Sequence, residues 1–311
     1  MEEKKILITG ATGYLGGRIF EELGKNYELI LSSRKKKLPN DYKLNYKFVF
    51  LNLFDNDIKE ILKDIDIIIH LASLNSKECQ ENILNAYEVN VNNSINILQN
   101  LNPSKNTLFI YFSTAHVYSS PLEGKIDELV NPRNMHPYST TRRSVEDVLK
   151  YFSSINLCKG LVFRLSNAVG RPLSKDTDCW ELFCNNLCRN AVKKKNLILS
   201  SNGLAHRNFV SIKKILNVIL RVINFKDSLD SYEIFNLGGD SNLSLYGMAE
   251  LIQEHYNKIY GESIPIILGK EGIEGKPLTF SSMKLSSRFG SFLDPLNEEI
   301  EELLKFSHNI F

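Results

Sequence analysis

The chain is poor in several features that would place it quickly. Its 311 residues hold five cysteines, at 79, 158, 179, 184 and 188, an odd number with no CxxC pair. That argues against a disulfide framework and against a closed zinc site. Cys184 and Cys188 stand one turn apart on an expected helix and read as small apolar residues of its buried face, so no metal site is expected. Neither sign of charge dominates. The 38 basic and 36 acidic residues leave a formal +2, which argues against a nucleic-acid binder and against an acidic tail. Long apolar runs are missing. The best candidate, Ile215 to Ile223, is short and contains Asn217 and Arg221, far from the roughly 20 apolar residues of a membrane span. The opening Met1-Glu2-Glu3-Lys4-Lys5 leads straight into Ile6-Leu7-Ile8 without the apolar region of a secretion signal. There is no internal repeat and no low-complexity linker. A cytoplasmic protein with reduced thiols and no membrane or nucleic-acid partner is expected.

The length suffices for one large or two modest domains at roughly 150 residues each. A chain of this size buries on the order of three quarters of its unfolded surface and needs no staple. In the first half, short apolar runs alternate with helical spacing: Ile6-Leu7-Ile8, Glu28 to Ser32, Phe48 to Leu51, Ile65 to His70 and Leu108 to Ser113 read as strands. Helical patterns run from Leu15 to Leu23, Ile83 to Leu101 and Ser139 to Phe152. Such alternation predicts βαβ units around a parallel sheet covered on both faces. Leu161 to Leu165 is a sixth strand. After it the alternation weakens, with helices at Trp180 to Lys195, Leu245 to Tyr260 and Glu298 to Phe306 and a late strand at Glu233 to Leu237. The expected class is α/β: a doubly wound parallel sheet of Rossmann type with a smaller mixed α/β C-terminal domain. The first is expected over 1–169 and about 205–240, the second over about 170–204 and 241–311.

Thr9-Gly10-Ala11-Thr12-Gly13-Tyr14-Leu15-Gly16 follows the first strand and opens the first helix. Gly10 suits a tight turn, Gly13 a close approach of backbone to a pyrophosphate, and Gly16 close packing of helix on strand. The helix N-terminus offers unpaired N–H groups to phosphate oxygens. The second strand ends in Ser32-Ser33-Arg34. An acid near this point would accept the ribose 2′-hydroxyl of NAD and repel the 2′-phosphate of NADP. Ser32 and Arg34 lean the reading toward NADP and leave NAD open.

The fifth strand ends in Ser113-Thr114-Ala115-His116-Val117-Tyr118, and Pro137-Tyr138-Ser139-Thr140-Thr141-Arg142 opens a later helix. Hydride transfer at a carbinol needs a base for the hydroxyl proton, and a tyrosine can serve when a cation lies close. Arg142, four positions on, lies on the same helix face as Tyr138. Thr114 is placed to hold the substrate oxygen. Tyr138, Arg142 and Thr114 are the candidate catalytic residues.

At this point the chain resembles the extended short-chain dehydrogenase/reductase family, the nucleotide-sugar epimerases, dehydratases and reductases. The motifs are the glycine loop, His70-Leu71-Ala72-Ser73, Asn90-Val91-Asn92, Ser113-Thr114, Pro137-Tyr138, Arg164 to Gly170, Arg207-Asn208-Phe209-Val210 and Phe235 to Gly238. The resemblance implies that Asn52 and Leu53 lie near the adenine, that Leu71, Ala72 and Ser73 line the cofactor, and that Asn90 sits close to it. It implies that Thr114, Ala115 and His116 face the sugar, and that Asn167 and Arg207 meet the diphosphate. It further implies a homodimer joined by a four-helix interface built from Ile83 to Leu101 and Ser139 to Phe152.

Two departures matter. The family pattern is Tyr-x-x-x-Lys, and Arg142 stands at the last position; it keeps the charge but is planar and larger. The related 4,6-dehydratases carry an Asp-Glu pair where Ala115 and His116 stand here, and Ala115 cannot move a proton. The expected function is therefore NAD(P)-dependent oxidoreduction of a nucleotide-linked hexose or heptose, most simply at C4, as a 4-dehydrogenase or 4-epimerase. A 4-keto-sugar reductase and a cofactor-binding regulatory relative with little turnover are the alternatives. The helix N-terminus at Gly13 to Gly16, Arg164 or Asn167, and Arg207 are the groups expected to meet anionic ligands. His70 reads as a structural histidine and Trp180 as a packing residue.

Overall fold

The computed structural model describes residues 4–33, 38–44, 46–49, 58–272 and 274–311. Its strands are β1 (Lys5–Thr9), β2 (Glu28–Ser32), β3 (Lys47–Val49), β4 (Ile67–His70), β5 (Leu108–Thr114), β6 (Gly124–Ile126) and β7 (Lys159–Leu165). They continue with β8 (Asn167–Val169), β9 (Leu197–Leu199), β10 (His206–Ser211), β11 (Tyr232–Leu237), β12 (Ser241–Ser244), β13 (Ile266–Leu268) and β14 (Leu278–Phe280).

Seven of these form one sheet in the order β11-β7-β5-β4-β1-β2-β3. The pairs β1–β2, β2–β3, β1–β4, β4–β5 and β5–β7 are parallel. The runs Ile6-Leu7-Ile8 and Ile67-Ile68-Ile69 are fully buried, as expected of strands covered by helices on both faces. From β1 the chain builds outward to β2 and β3, then crosses to β4 on the other flank of β1. The order reverses there, and in open α/β sheets ligands bind beyond the carboxyl ends of the strands at such a point. The fold class expected from the sequence is the one found.

The chain divides into two compact units. The first comprises Met1–Ser119, Asn131–Leu165 and Ile219–Phe235, and the second Ser120–Val130, Ser166–Val218 and Asn236–Phe311. Residues 120–130, 166–169, 205–218 and 236–240, expected with the first unit, group with the second: β6 pairs with β14, and β10 pairs with β8 on one side and β12 on the other. The first unit's core joins Leu7, Ile68, Phe109 and Val162 of the sheet to Val145 and Leu149 of the helix Pro137–Ser154. The second has its own core of Cys184, Leu187, Phe209, Met248, Ile252, Ile300 and Leu304.

Two expected helices differ in detail. Ile83 to Leu101 is not one regular helix: α-turns over Ile83–Tyr87 and Asn93–Gln99 flank a π-helical turn over Glu88–Asn92. The helix expected from Trp180 begins at Phe183. Trp180 packs instead, stacked on Phe306 at 6.3 Å and edge-on to Phe311 at 4.9 Å.

Candidate active site

The glycine loop sits at the carboxyl end of β1. Gly10 has φ +66°, and a Cβ on it would lie 2.8 Å from the Ala72 amide nitrogen and 3.0 Å from the Ala72 Cα. The turn thus needs glycine both for its left-handed backbone and for its approach to the loop after β4. A Cβ on Gly16 would run into the Gly10 carbonyl and lie 2.8 Å from the Ala11 Cα, so the helix Tyr14–Leu23 can pack this close only without one. Gly13 is exposed and forms the N-cap of that helix without a side-chain cap. Its first amides are therefore not taken by a capping side chain, as binding of a pyrophosphate requires. Thr12, Tyr14 and Leu15 are half-buried around this cradle, and Thr12 Oγ1 lies 2.9 Å from Ser33 Oγ. Ser32 and Ser33 are buried at the end of β2. Arg34, Asn52 and Leu53, named for the adenosine end, lie outside the described residues.

One contributor here was not visible in the sequence. Tyr42 is buried, stacks on Phe20 at 4.8 Å and donates its hydroxyl to the Ala11 carbonyl at 2.7 Å. It holds the glycine loop from the far side. An isolated tyrosine in a polar connection carries no periodic signal that would reveal this.

A chain of buried hydroxyls and one imidazole supports the loop after β4. Thr9 Oγ1 accepts the Leu71 and Ala72 amides, each at 3.2 Å, and lies 2.8 Å from His70 Nδ1. His70 Nε2 lies 3.0 Å from Ser94 Oγ, which donates to the Asn90 carbonyl at 2.7 Å. With the Ser94 proton committed, His70 carries its hydrogen on Nε2 and accepts the Thr9 proton at Nδ1. Burial, aided by the Arg142 charge, pulls the imidazole down to about 3. His70 is the neutral structural residue expected from the sequence.

Asn90 lies on the π-helical turn, a distortion often found at functional positions. Its Oδ1 accepts the Leu74 amide at 2.8 Å, and its Nδ2 donates to Thr141 Oγ1 at 3.1 Å and faces Cys79 Sγ at 3.4 Å. It is 2% exposed. Asn90 therefore braces the segment after β4 against the helix that carries Tyr138.

That helix starts at Pro137, where a missing N–H costs nothing, and His136 Nδ1 accepts the Tyr138 amide at 3.2 Å. Thr114 is the last residue of β5. Its Oγ1 accepts the His116 amide at 3.2 Å, leaving the hydroxyl proton to donate elsewhere. Ala115 is buried, and His116 is half-buried in the turn Ala115–Val117. The His116 carbonyl accepts Ser139 Oγ at 3.1 Å and Asn134 Nδ2 at 2.8 Å. Thr114 and Tyr138 are thus held by neighbouring residues bonded to each other.

Arg142 joins these parts. Its guanidinium carbon lies 5.0 Å from the centre of the Tyr138 ring and 6.0 Å from that of Tyr111. Nη1 donates to the Phe112 carbonyl at 2.9 Å and Nη2 to Ser73 Oγ at 2.5 Å. Burial works against the charge, but the facing Tyr138 and Tyr111 and the Cys79 thiol outweigh it and leave Arg142 above its ordinary range. The glycine loop, the loop after β4, the end of β5 and Tyr138 are thereby linked in one unit. Leu71 and Ala72 lie half-buried on the same path.

Of the two residues offered for one anionic contact, Arg164 or Asn167, Arg164 is committed elsewhere. It grips Glu146, with Nη2 at 2.7 Å from Oε2 and Nε at 3.2 Å from both oxygens, and donates to the Tyr118 hydroxyl at 2.9 Å. A guanidinium so occupied is a structural ion pair and not a contact for an anionic ligand. Glu146 also accepts Ser113 Oγ at 2.5 Å.

In the second unit, Asn167 lies on β8 opposite Phe209 of β10 and donates Nδ2 to the Asn208 carbonyl at 2.9 Å. Arg207, on β10, lies over the Phe183 ring at 5.6 Å, and burial pulls its guanidinium below the ordinary range against the Cys184 thiol. Neighbouring strands of one three-stranded sheet carry the two residues. No helix of the described residues is long and apolar enough to cross a membrane.

Comparison with known proteins agrees with this architecture. A putative UDP-glucose 4-epimerase of Methanocaldococcus jannaschii is 25% identical over 269 residues, covering 83% of this chain and 84% of the relative. A dTDP-D-glucose 4,6-dehydratase of Mus musculus is 24% identical, covering 80% and 72%. The crystal structure of a UDP-glucuronic acid 4-epimerase from Bacillus cereus, in complex with UDP-glucuronic acid and NAD, superposes with a TM-score of 0.82 at 20% identity, covering 99% of this chain and all of that one. Residues 6–238 match the family model described as the NAD dependent epimerase/dehydratase family. The chain belongs to the NAD dependent epimerase/dehydratase family.

Proposed function

We propose that the protein is an NAD(P)-dependent oxidoreductase of a nucleotide-linked hexose or heptose, working at the sugar's C4 as a 4-epimerase or 4-dehydrogenase. The observation that carries this reading is the bridge made by Arg142, which ties the loop beside Gly10 to the ring of Tyr138 and to the end of β5. The cradle fits a dinucleotide: glycines where side chains would collide, and a helix N-terminus without a side-chain cap.

When bound, the nicotinamide supplies the capacity to take up and return hydride. Tyr138 takes the proton of the C4 hydroxyl and gives it back. Thr114 donates its hydroxyl proton to the same sugar oxygen. Arg142 places a fixed positive charge over the ring of Tyr138. Ala115 and His116 occupy the positions where the dehydratases carry an acid pair, so elimination of water is not proposed. Asn167 and Arg207 are proposed contacts of the sugar nucleotide's diphosphate. The relatives named as UDP-glucose and UDP-glucuronic acid 4-epimerases support epimerisation over one-way reduction.

The finer points belong to the same reading. Preference for NADP rests on Ser32 and Arg34, while the solved relatives are named with NAD. A cytoplasmic homodimer is proposed, with Ile83, Leu84, Tyr87 and Tyr151 exposed on the helices expected at its interface.

The test is direct. The purified protein is denatured and any released nicotinamide identified by absorbance and mass; NAD and NADP affinities are then compared, and UDP- and dTDP-sugars supplied as substrates. C4 epimerisation or sugar-dependent cofactor reduction is expected, and Tyr138→Phe should lower turnover by about two or more orders of magnitude with cofactor binding retained. Equal turnover in Tyr138→Phe refutes the assigned chemistry. Inactivity of the native protein on every sugar, with activity created by Arg142→Lys, refutes the enzyme reading. Tighter binding of NAD refutes the NADP preference.

A further inference from the structure

Arg142 is a buried cation without a buried anion. It is 8% exposed. Among the described residues no carboxylate forms an ion pair with it, and its Nε is buried without a hydrogen-bond partner. Charges in such surroundings are normally paired. Here the guanidinium is held by uncharged oxygens: the Phe112 carbonyl, fixed by the sheet, and the Ser73 hydroxyl, carried by the loop after β4, with the Tyr111 side chain as a further neutral hydrogen-bonding neighbour. The Phe112 and Ser73 anchors lie on different terminal nitrogens, and the guanidinium carbon between them lies 5.0 Å from the centre of the Tyr138 ring. A lysine at 142 would present all its donors at a single nitrogen and could not span the two anchors from separate nitrogens.

We propose that Ser73 is a positioning residue for this arginine. Its hydroxyl is the second point of the fork, and it fixes the guanidinium over Tyr138 in the geometry that makes an arginine serviceable where the family pattern has lysine. The residue acts through Arg142 and not on the substrate. It belongs to the loop that Gly10 approaches, so it also couples the seating of the cofactor loop to the placing of the charge. This inference rests on the reading of Tyr138 as the proton-transferring group.

The test uses the full chain and a double-mutant cycle of Ser73→Ala and Arg142→Lys, with Ser73→Thr as the conservative variant. In the native background Ser73→Ala should lower kcat about ten- to a hundredfold, the size of a lost hydrogen bond to a charged group. Ser73→Thr should restore most of kcat. In the Arg142→Lys background Ser73→Ala should have little further effect. The same cycle read by chemical denaturation should show coupling between the two positions whether or not turnover is measurable. The proposal is overturned if Ser73→Ala leaves kcat unchanged, if its effect is the same in both backgrounds, or if the denaturation cycle shows no coupling. Failure of the underlying reading is seen elsewhere, as undiminished turnover in Tyr138→Phe.

Discussion

At the scale of single residues, His70 shows how a titratable group can be silent in chemistry and loud in stability. Both its ring nitrogens are engaged by buried hydroxyls, and burial with the Arg142 charge pulls it to about 3. In the unfolded chain a histidine titrates near 6.5. Between these values the unfolded state binds more protons, so stability falls as the pH drops through 6.5 and is fully present above it. At pH 5 this one group costs about 2 kcal/mol relative to pH 8. His70→Gln keeps polar atoms at the site and removes the titration. Urea melts at pH 8 and pH 5 should therefore show the native protein losing about 2 kcal/mol more than the variant over that interval. An equal loss in both would mean that His70 is not held neutral.

Residue identity was the most legible level. The glycine turn is readable because its left-handed backbone and close approaches demand glycine at particular spacings, and the roles proposed for Thr114, Tyr138 and Arg142 rest on residue type and spacing. The choice between Arg164 and Asn167 could not be made from the sequence, because a lone arginine in a strand looks the same whether its partner is a ligand or a carboxylate 18 residues away in sequence. Tyr42 was invisible because its role arises from tertiary contact alone.

At the scale of elements, the helix Pro137–Ser154 is fixed at two levels. Its first turns carry Tyr138 and Arg142, and the next turn carries Glu146, which ties it to Ser113 on β5 and Arg164 on β7. Burial opposes the Arg164 charge, but Glu146 outweighs it and holds the guanidinium above its ordinary range. Both side chains are under 10% exposed. Removing one partner leaves the other buried and uncompensated. Glu146→Ala should therefore destabilise the first unit by about 3–5 kcal/mol in denaturant titration, whereas Glu146→Leu combined with Arg164→Met should recover part of that loss. A fall below 1 kcal/mol for Glu146→Ala would deny the pair its structural part. Long periodic elements of this kind were legible in the sequence. The short strands β6, β8, β9, β12, β13 and β14, each of three or four residues, were not, since so few residues show no alternation and their pairing partners lie far along the chain. The π-helical turn at Asn90 also escaped, because a one-residue widening inside a helix barely alters the spacing of its apolar face.

At the scale of the whole molecule, the scarcity of cysteine becomes a probe. Cys79 and Cys158 are buried in the first unit and Cys179, Cys184 and Cys188 in the second, all as free thiols. Burial pushes Cys158 up to about 11 and Cys179 and Cys184 up to about 12, and it raises Cys79 and Cys188 as well. At pH 8 such thiols are protonated and shielded, so a thiol reagent reaches them only when the surrounding structure opens. Cys79 packs with Leu74 and Ala86, and Tyr138 lies against the same cluster; its reactivity therefore reports on the loop and helix that frame the proposed cofactor site. A ligand present at a hundred times its dissociation constant and bound only to the closed state lowers the open population about a hundredfold. Labelling followed by mass spectrometry should accordingly show all five cysteines reacting in denaturant, and in the native protein a slowing of Cys79 of that order when the nicotinamide cofactor is added. A Cys79 rate unaffected by saturating cofactor would place the dinucleotide away from the Gly10, Ser73 and Tyr138 constellation.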